Sequence, residues 1–194
     1  MRRVAPKTKR ALRSIQHSLE RYYALESTPD VADFAQAAAK GERETLLVRE
    51  SDMAIELALV VPTEAPHMGA NDVWLQLLEG VSHFVFVAER VRTGLPTTQL
   101  ELELQAEVDK FVLLGLEPGF DRESARRMHT HLFEGGRFID PEGTEAGERY
   151  RLANDLAARL AARLLDRDHG ETRALLRRFY RAGQTDKIAL ARAA

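Results

Sequence analysis

The chain has 194 residues, of which 44% are hydrophobic and 30% charged, and this balance predicts a single globular domain over residues 1–194 rather than a disordered or fibrous protein. The absence of cysteine excludes disulfide frameworks, thiolate metal centres and cysteine nucleophiles. No apolar run reaches the roughly 18 to 20 residues of a membrane helix, and no signal-peptide pattern follows the charged N-terminus, so we expect a soluble, cytoplasmic protein without membrane contact.

The net charge is only −2, but charge is distributed unevenly along the chain. Residues 1–21 carry seven basic side chains and one acidic side chain, and residues 171–194 carry six basic and two acidic ones. The 149 residues between them therefore carry a net charge of −12. This segregation favours neutralisation of the basic ends within the fold or across a dimer, and a polyanion-binding surface is the alternative. Residues 1–8 are interpreted as a candidate flexible arm.

The first third of the chain predicts two helices and a hairpin. Residues 9–26 have the spacing of an amphipathic helix, and residues 28–41 predict a short helix with Thr28 as its N-cap. Between residues 44 and 62 the pattern changes to two-residue alternation, which predicts two antiparallel strands joined at Ser51 and Asp52. A two-stranded ribbon is marginal in water, so it must pack on helices, pair with another chain, or gain a third strand, for which residues 136–140 are the candidate.

The rest of the chain is predicted to be helical. The strongest apolar stripe begins at Asn71 and ends before Gly94, which indicates a core helix. Thr98 and Glu101 form a capping box that opens the next helix, and shorter helical patterns follow to the C-terminus. We therefore predict an α+β fold, predominantly helical, in which one antiparallel β-hairpin at about residues 45–61 packs on a helical bundle.

One group of residues with metal-ligand chemistry comprises Glu79 and His83, one turn apart, and Glu103 and Glu107, one turn apart on the next helix. Di-metal carboxylate bundles instead use a Glu-x-x-His motif at three-residue spacing, twice. A helical wheel places His83 about 150° from the apolar stripe, which favours a solvated face or a second packing surface. We predict no bound cofactor, and these four residues are the metal candidates.

Two other groups of residues are candidates for binding. Phe86 and Arg90 lie on the polar side of the core helix, so the large ring needs a cover from this fold or from a partner. The basic residues of the two chain ends, with Phe179 and Tyr180 among them, have the composition of a nucleic-acid surface, although Phe179 also fits a packing face. These basic candidates are Arg10, Arg13, Arg177, Arg178 and Arg181.

Catalytic and nucleotide-binding motifs are missing from the sequence. It contains neither a Gly-x-Ser-x-Gly elbow nor a phosphate-binding glycine loop. By elimination we expect a non-enzymatic interaction or accessory protein that binds a protein partner or self-associates. A nucleic-acid-binding accessory factor is the alternative, and a metal-dependent enzyme comes third.

Overall fold

The computed structural model describes residues 3–26, 28–39, 41–51, 54–62, 71–116, 121–134 and 138–193. Most of these residues are helical, and a small three-stranded mixed sheet completes the structure, so the predicted α+β, predominantly helical class is confirmed. The chain divides into two compact units, residues 1–21 with 25–96 and residues 22–24 with 97–194. The prediction of a single domain stays a prediction, which one cooperative unfolding transition would support.

The first unit contains one long helix at each end, with a short helix and the three strands between them. Its elements are α1 (Pro6–Tyr23, whose last two residues belong to the second unit), α2 (Val31–Phe34), β1 (Ala35–Ala37), β2 (Thr45–Ser51), β3 (Ala54–Val61) and α3 (Asn71–Thr93). Leu12, Ile15 and Leu19 form the buried face of α1. Val4 and Thr8, within the segment interpreted as a candidate arm, are also buried.

The short helix differs from the prediction. Asp30, rather than Thr28, is the N-cap and accepts a hydrogen bond from the backbone of Ala32 at 2.9 Å. The helix ends at Phe34 because residues 35–37 leave the helical path and pair in parallel with residues 59–61 of β3. The hydrogen bonds of this pairing outweigh the high helix propensity of alanine.

The sheet has the order β1-β3-β2, in which β2 and β3 form the predicted antiparallel hairpin. Its third strand is β1, so the assignment of that strand to residues 136–140 is wrong. Residues 138–140 are described and are not a strand, while 136 and 137 lie outside the described residues. Asp52, half of the predicted turn, also lies outside them.

All regular elements in the described part of the second unit are helices. Its elements are α4 (Gln99–Gly115), α5 (Arg122–Phe133), α6 (Glu145–Leu164), α7 (His169–Arg181) and α8 (Gln184–Arg192). The predicted capping box of Thr98 and Glu101 is present at the start of α4. Asp121 caps α5 by accepting from the backbone of Ser124 at 2.7 Å, and this hydrogen bond holds the pKa of Asp121 below its ordinary value.

A buried polar network crosses the interior of this unit. The Tyr23 hydroxyl donates to Asp109, and the Gln105 amide donates to the same carboxylate at 2.8 Å. Lys187 donates from Nζ to the side-chain oxygen of Gln105 and lies 4.2 Å from the ring centroid of Phe179. Lys187, Gln105 and Asp109 are each 0% exposed, so α8 is joined to α4 by a side chain that is closed to water.

Candidate functional site

The hairpin of the first unit is longer than the strand that flanks it. Strand β2 pairs with β3 along its whole length, from Thr45 opposite Val60 to Ser51 opposite Ala54. Strand β1 pairs only with residues 59–61, at one end of β3. Among the described residues the sheet is therefore two-stranded from Ala58 to the turn, and no strand pairs with the outer edge of β2.

The base of the hairpin is packed on α3. Leu59 is 0% exposed and lies against Gly80, where an added Cβ would come within 2.8 Å of a Leu59 methyl carbon. The backbone N–H of Glu44 donates to the Gln76 side chain of α3 at 3.2 Å. The glycine thus lets α3 approach the sheet closely, and the free end of the hairpin projects from a fixed base.

The free end of the hairpin, defined here as residues 47–51 and 54–58, exposes apolar side chains. Leu47 is 52% exposed, Val48 45% and Ile55 39%. Val48 lies opposite Leu57, and residues 55, 57 and 59 share one face of β3 because side chains alternate along a strand. One apolar face is therefore buried at Leu59 and open to solvent at Val48 and Ile55.

One cross-strand ion pair lies on the other face of the free end. Arg49 Nη1 and Glu56 Oε2 are 3.3 Å apart, with side chains 81% and 66% exposed. So exposed a pair contributes little stability, on the order of 0–1 kcal/mol. The free end is thus held mainly by the backbone hydrogen bonds of a two-stranded ribbon. The stability of such a ribbon in water is marginal when nothing packs on it.

The structure buries the predicted interaction residues Phe86 and Arg90. Phe86 is 0% exposed and Arg90 is 4% exposed, with the guanidinium carbon 4.7 Å from the ring centroid. The expectation of an outward Phe86 surface for a partner is therefore corrected, because a buried ring presents no surface for docking. The ring has its cover within this chain, which was one of the two interpretations of the sequence.

The metal candidates are divided between the two units. Glu79 and His83 lie one turn apart on α3, and Glu103 and Glu107 lie one turn apart on α4. His83 is only 8% exposed, so its face of α3 is a second packing surface and not a solvated one. Glu107 accepts a charged hydrogen bond from Lys110 at 2.7 Å. The metal hypothesis stays a prediction, which elemental analysis of the purified protein tests.

The basic candidates at the N-terminal end lie on α1 in the first unit. Arg10 is exposed, whereas Arg13 donates from Nε to Asp30 at 2.7 Å. Partial burial raises the pKa of Asp30, but the hydrogen bonds from Arg13 and the Ala32 backbone outweigh it and bring this pKa below its ordinary value. Arg13 thus has a partner in its own fold.

The C-terminal basic candidates lie on α7 in the second unit. Arg177 donates to the backbone oxygen of Tyr22 at 3.4 Å, while Arg178 and Arg181 are exposed. Phe179 and Tyr180 are 0% and 3% exposed, so the predicted packing face is confirmed. Buried rings cannot stack on bases, and this removes the aromatic half of the nucleic-acid pattern.

Comparison of the chain with models of protein families, with curated proteins and with solved structures finds no match. Among the described residues, no helix combines the length and the apolar character needed to cross a membrane.

The sequence indicated the hairpin edge but not its exposed end. The run Leu46-Leu47-Val48 places apolar side chains on both faces of β2, and this break in the alternation was the available signal. Strand β1 covers only three residues of β3. This short overlap is a pairing between distant segments, and the local sequence pattern does not encode it.

Proposed function

We propose that this chain is a non-enzymatic interaction protein that self-associates by pairing β2 with β2 of a second copy. The observation that carries the proposal is the free end of the hairpin, a two-stranded ribbon with an open edge and exposed Leu47, Val48 and Ile55. An exposed strand of seven residues with apolar side chains is a template for pairing with another chain.

A second copy fits this edge because an antiparallel pairing of one strand with itself has two-fold symmetry. With the two-fold axis at Val48, the two Val48 side chains are opposite each other and Leu47 is opposite Arg49 of the second copy. The apolar faces of the two sheets then become continuous across the axis. The exposed apolar area at the free end of each copy is reduced, and this burial favours association.

Charge disfavours the neighbouring register that has its two-fold axis at Arg49. With the axis at Arg49, two guanidinium groups would lie directly opposite each other, and like charges in that position are destabilising. With the axis at Val48, each Arg49 keeps Glu56 of its own β3 as a neighbour. The register centred on Val48 is therefore the one we propose.

The test compares two valine variants of equal exposure. Val48 and Val91 are both 45% exposed in the first unit, but Val91 lies on α3. Light scattering coupled to gel filtration should give about twice the 21.8 kDa chain mass for the wild type and Val91→Lys, and the single-chain mass for Val48→Lys. Circular dichroism confirms that each variant is folded.

Three outcomes count against the proposal. A wild-type monomer at all accessible concentrations refutes self-association. An equal loss of dimer in the two variants shows that the edge is not the interface. A dimer that dissociates in 1 M salt shows that the segregated charges drive association, since backbone pairing and apolar burial are not screened by salt.

A further inference from the structure

The second unit contains a groove whose lining residues include none from the hairpin. It lies along one face of α7 and one face of α8, with the C-terminal end of α6 at its side, and has a volume of about 1000 Å³. This volume is at the upper end of the roughly 300–1000 Å³ range of small-ligand sites and suits a larger, elongated ligand. The groove is open rather than enclosed, so a segment of another chain can enter it.

The floor of the groove is apolar and its rim is basic. Leu175, Leu190 and four alanines provide the apolar surface, and the small alanine side chains leave room for close approach of a backbone. Four arginines line the same groove: Arg163, Arg167, Arg178 and Arg181. The basic candidates Arg178 and Arg181 thus share the groove with Arg163 of α6 and Arg167 of the segment after α6. The sequence did not indicate these two arginines as part of a basic site.

Most of these arginines have no carboxylate partner among the residues that the structure describes. Within the described part of the chain, Arg167, Arg178 and Arg181 form no ion pair. Arg163 donates to the backbone oxygen of Leu190 and so joins α6 to α8. Three guanidinium groups at the groove therefore keep donors for an external anionic ligand.

The lining residues also favour a peptide over a nucleic acid as the ligand. Two acidic side chains, Glu171 and Asp186, line the groove together with the arginines and would repel a continuous phosphate backbone, whereas a helix can carry its carboxylates only at the positions that face the arginines. None of the described lining residues is aromatic, so bases would have no ring to stack on. An apolar floor with a basic rim instead complements a helix with an apolar stripe flanked by carboxylates.

We propose that this groove binds an acidic amphipathic helix of a partner protein. The apolar residues of that helix, at three- and four-residue spacing, contact Leu175, Leu190 and the alanines. Its carboxylates accept hydrogen bonds from Arg178 and Arg181 on α7 and from Arg167 beyond α6. The site belongs to the second unit, so the proposal is independent of whether the hairpin pairs.

The test uses labelled probes of defined composition and fluorescence anisotropy. The probes are a panel of 16-residue peptides with leucines at helical spacing and flanking glutamates, scrambled peptides of the same composition, and a 16-nucleotide single-stranded oligodeoxythymidylate. We expect at least one amphipathic peptide to bind with a micromolar Kd and its scrambled form to bind at least tenfold more weakly. We expect the oligonucleotide to bind more weakly than that peptide.

Matched variants locate the binding. Arg178→Ala with Arg181→Ala should weaken peptide binding about tenfold or more, whereas Arg173→Ala with Arg192→Ala should not. The second pair makes the same charge change on α7 and α8 but does not line the groove. Ala189→Trp, at an exposed lining position, should block the peptide, and Ala162→Trp, at an exposed position outside the lining, should not.

Four outcomes would overturn the proposal. The first is that no peptide of the panel binds. The second is that the scrambled peptides bind equally well, which would show simple charge attraction. The third is that the oligonucleotide binds as tightly as the best peptide, which would assign the groove to nucleic acid. The fourth is that the two arginine pairs have the same effect, which would place the peptide elsewhere.

Discussion

Replacement of the buried Lys187 by methionine should destabilise the second unit. The methionine side chain retains much of the lysine stem but lacks the ammonium group that donates to Gln105 and lies over the Phe179 ring. An unsatisfied buried carbonyl costs about 1–3 kcal/mol, and a desolvated cation–π contact contributes about 2 kcal/mol. Relief of the cost of burying a charge offsets part of this sum, so we expect a net loss of about 2 kcal/mol.

Urea unfolding followed by circular dichroism measures this loss. The control is Arg192→Met, which makes the same charge change at an exposed position of the same helix and should alter the free energy of unfolding by less than about 0.5 kcal/mol. A Lys187→Met variant as stable as the control would refute the reasoning. Fluorescence of Trp74, in the first unit, adds a test of cooperativity: if the chain unfolds as one domain, its midpoint shifts by the same amount.

Two further stability predictions follow from buried contacts of the second unit. Burial and the neighbouring Asp109 raise the pKa of Tyr23 well above its ordinary value, so the proton is held more tightly in the folded state. The stability that Tyr23 contributes is therefore fully present below about pH 10, the pKa of an unfolded tyrosine, and is lost as the pH rises above it. Urea titrations at pH 8 and 10.5 should show that the free energy of unfolding falls less for Tyr23→Phe than for the wild type. Equal falls for the two proteins would contradict this. Gly147→Ala should lower the free energy of unfolding by about 1–3 kcal/mol although alanine has the better helix propensity, because the added Cβ would collide with the Pro141 carbonyl oxygen. An unchanged or higher melting temperature would contradict this prediction.

The start of α4 was predictable because its signal is local: the Thr98 side chain accepts from a backbone N–H three residues later, so the whole capping box lies within one turn of sequence. The N-cap of α2 was placed two residues too early, at Thr28 instead of Asp30. The alternation over residues 45–61 also indicated the hairpin, because one face of it is apolar. The fold class follows from these local patterns.

Features that depend on distant segments were not predictable in this way. Residues 35–37 have a helical composition, yet they pair with residues 59–61 because the edge of β3 offers hydrogen bonds. Lys187 contributes to the basic C-terminal segment by sequence, although it is 0% exposed and held by Gln105, 82 residues earlier. The groove likewise combines faces of α7 and α8 with the end of α6. No short motif describes such a combination.

The most direct test of self-association through β2 is oxidation of a single-cysteine variant. The chain contains no cysteine, so Val48→Cys has one thiol, and the proposed register places it opposite its copy at the cross-strand distance that a disulfide requires. Val91→Cys, with equal exposure on α3, is the control. We predict rapid formation of a covalent dimer for Val48→Cys and little for Val91→Cys. Equal rates for the two variants, or no covalent dimer from Val48→Cys, would contradict the proposed interface.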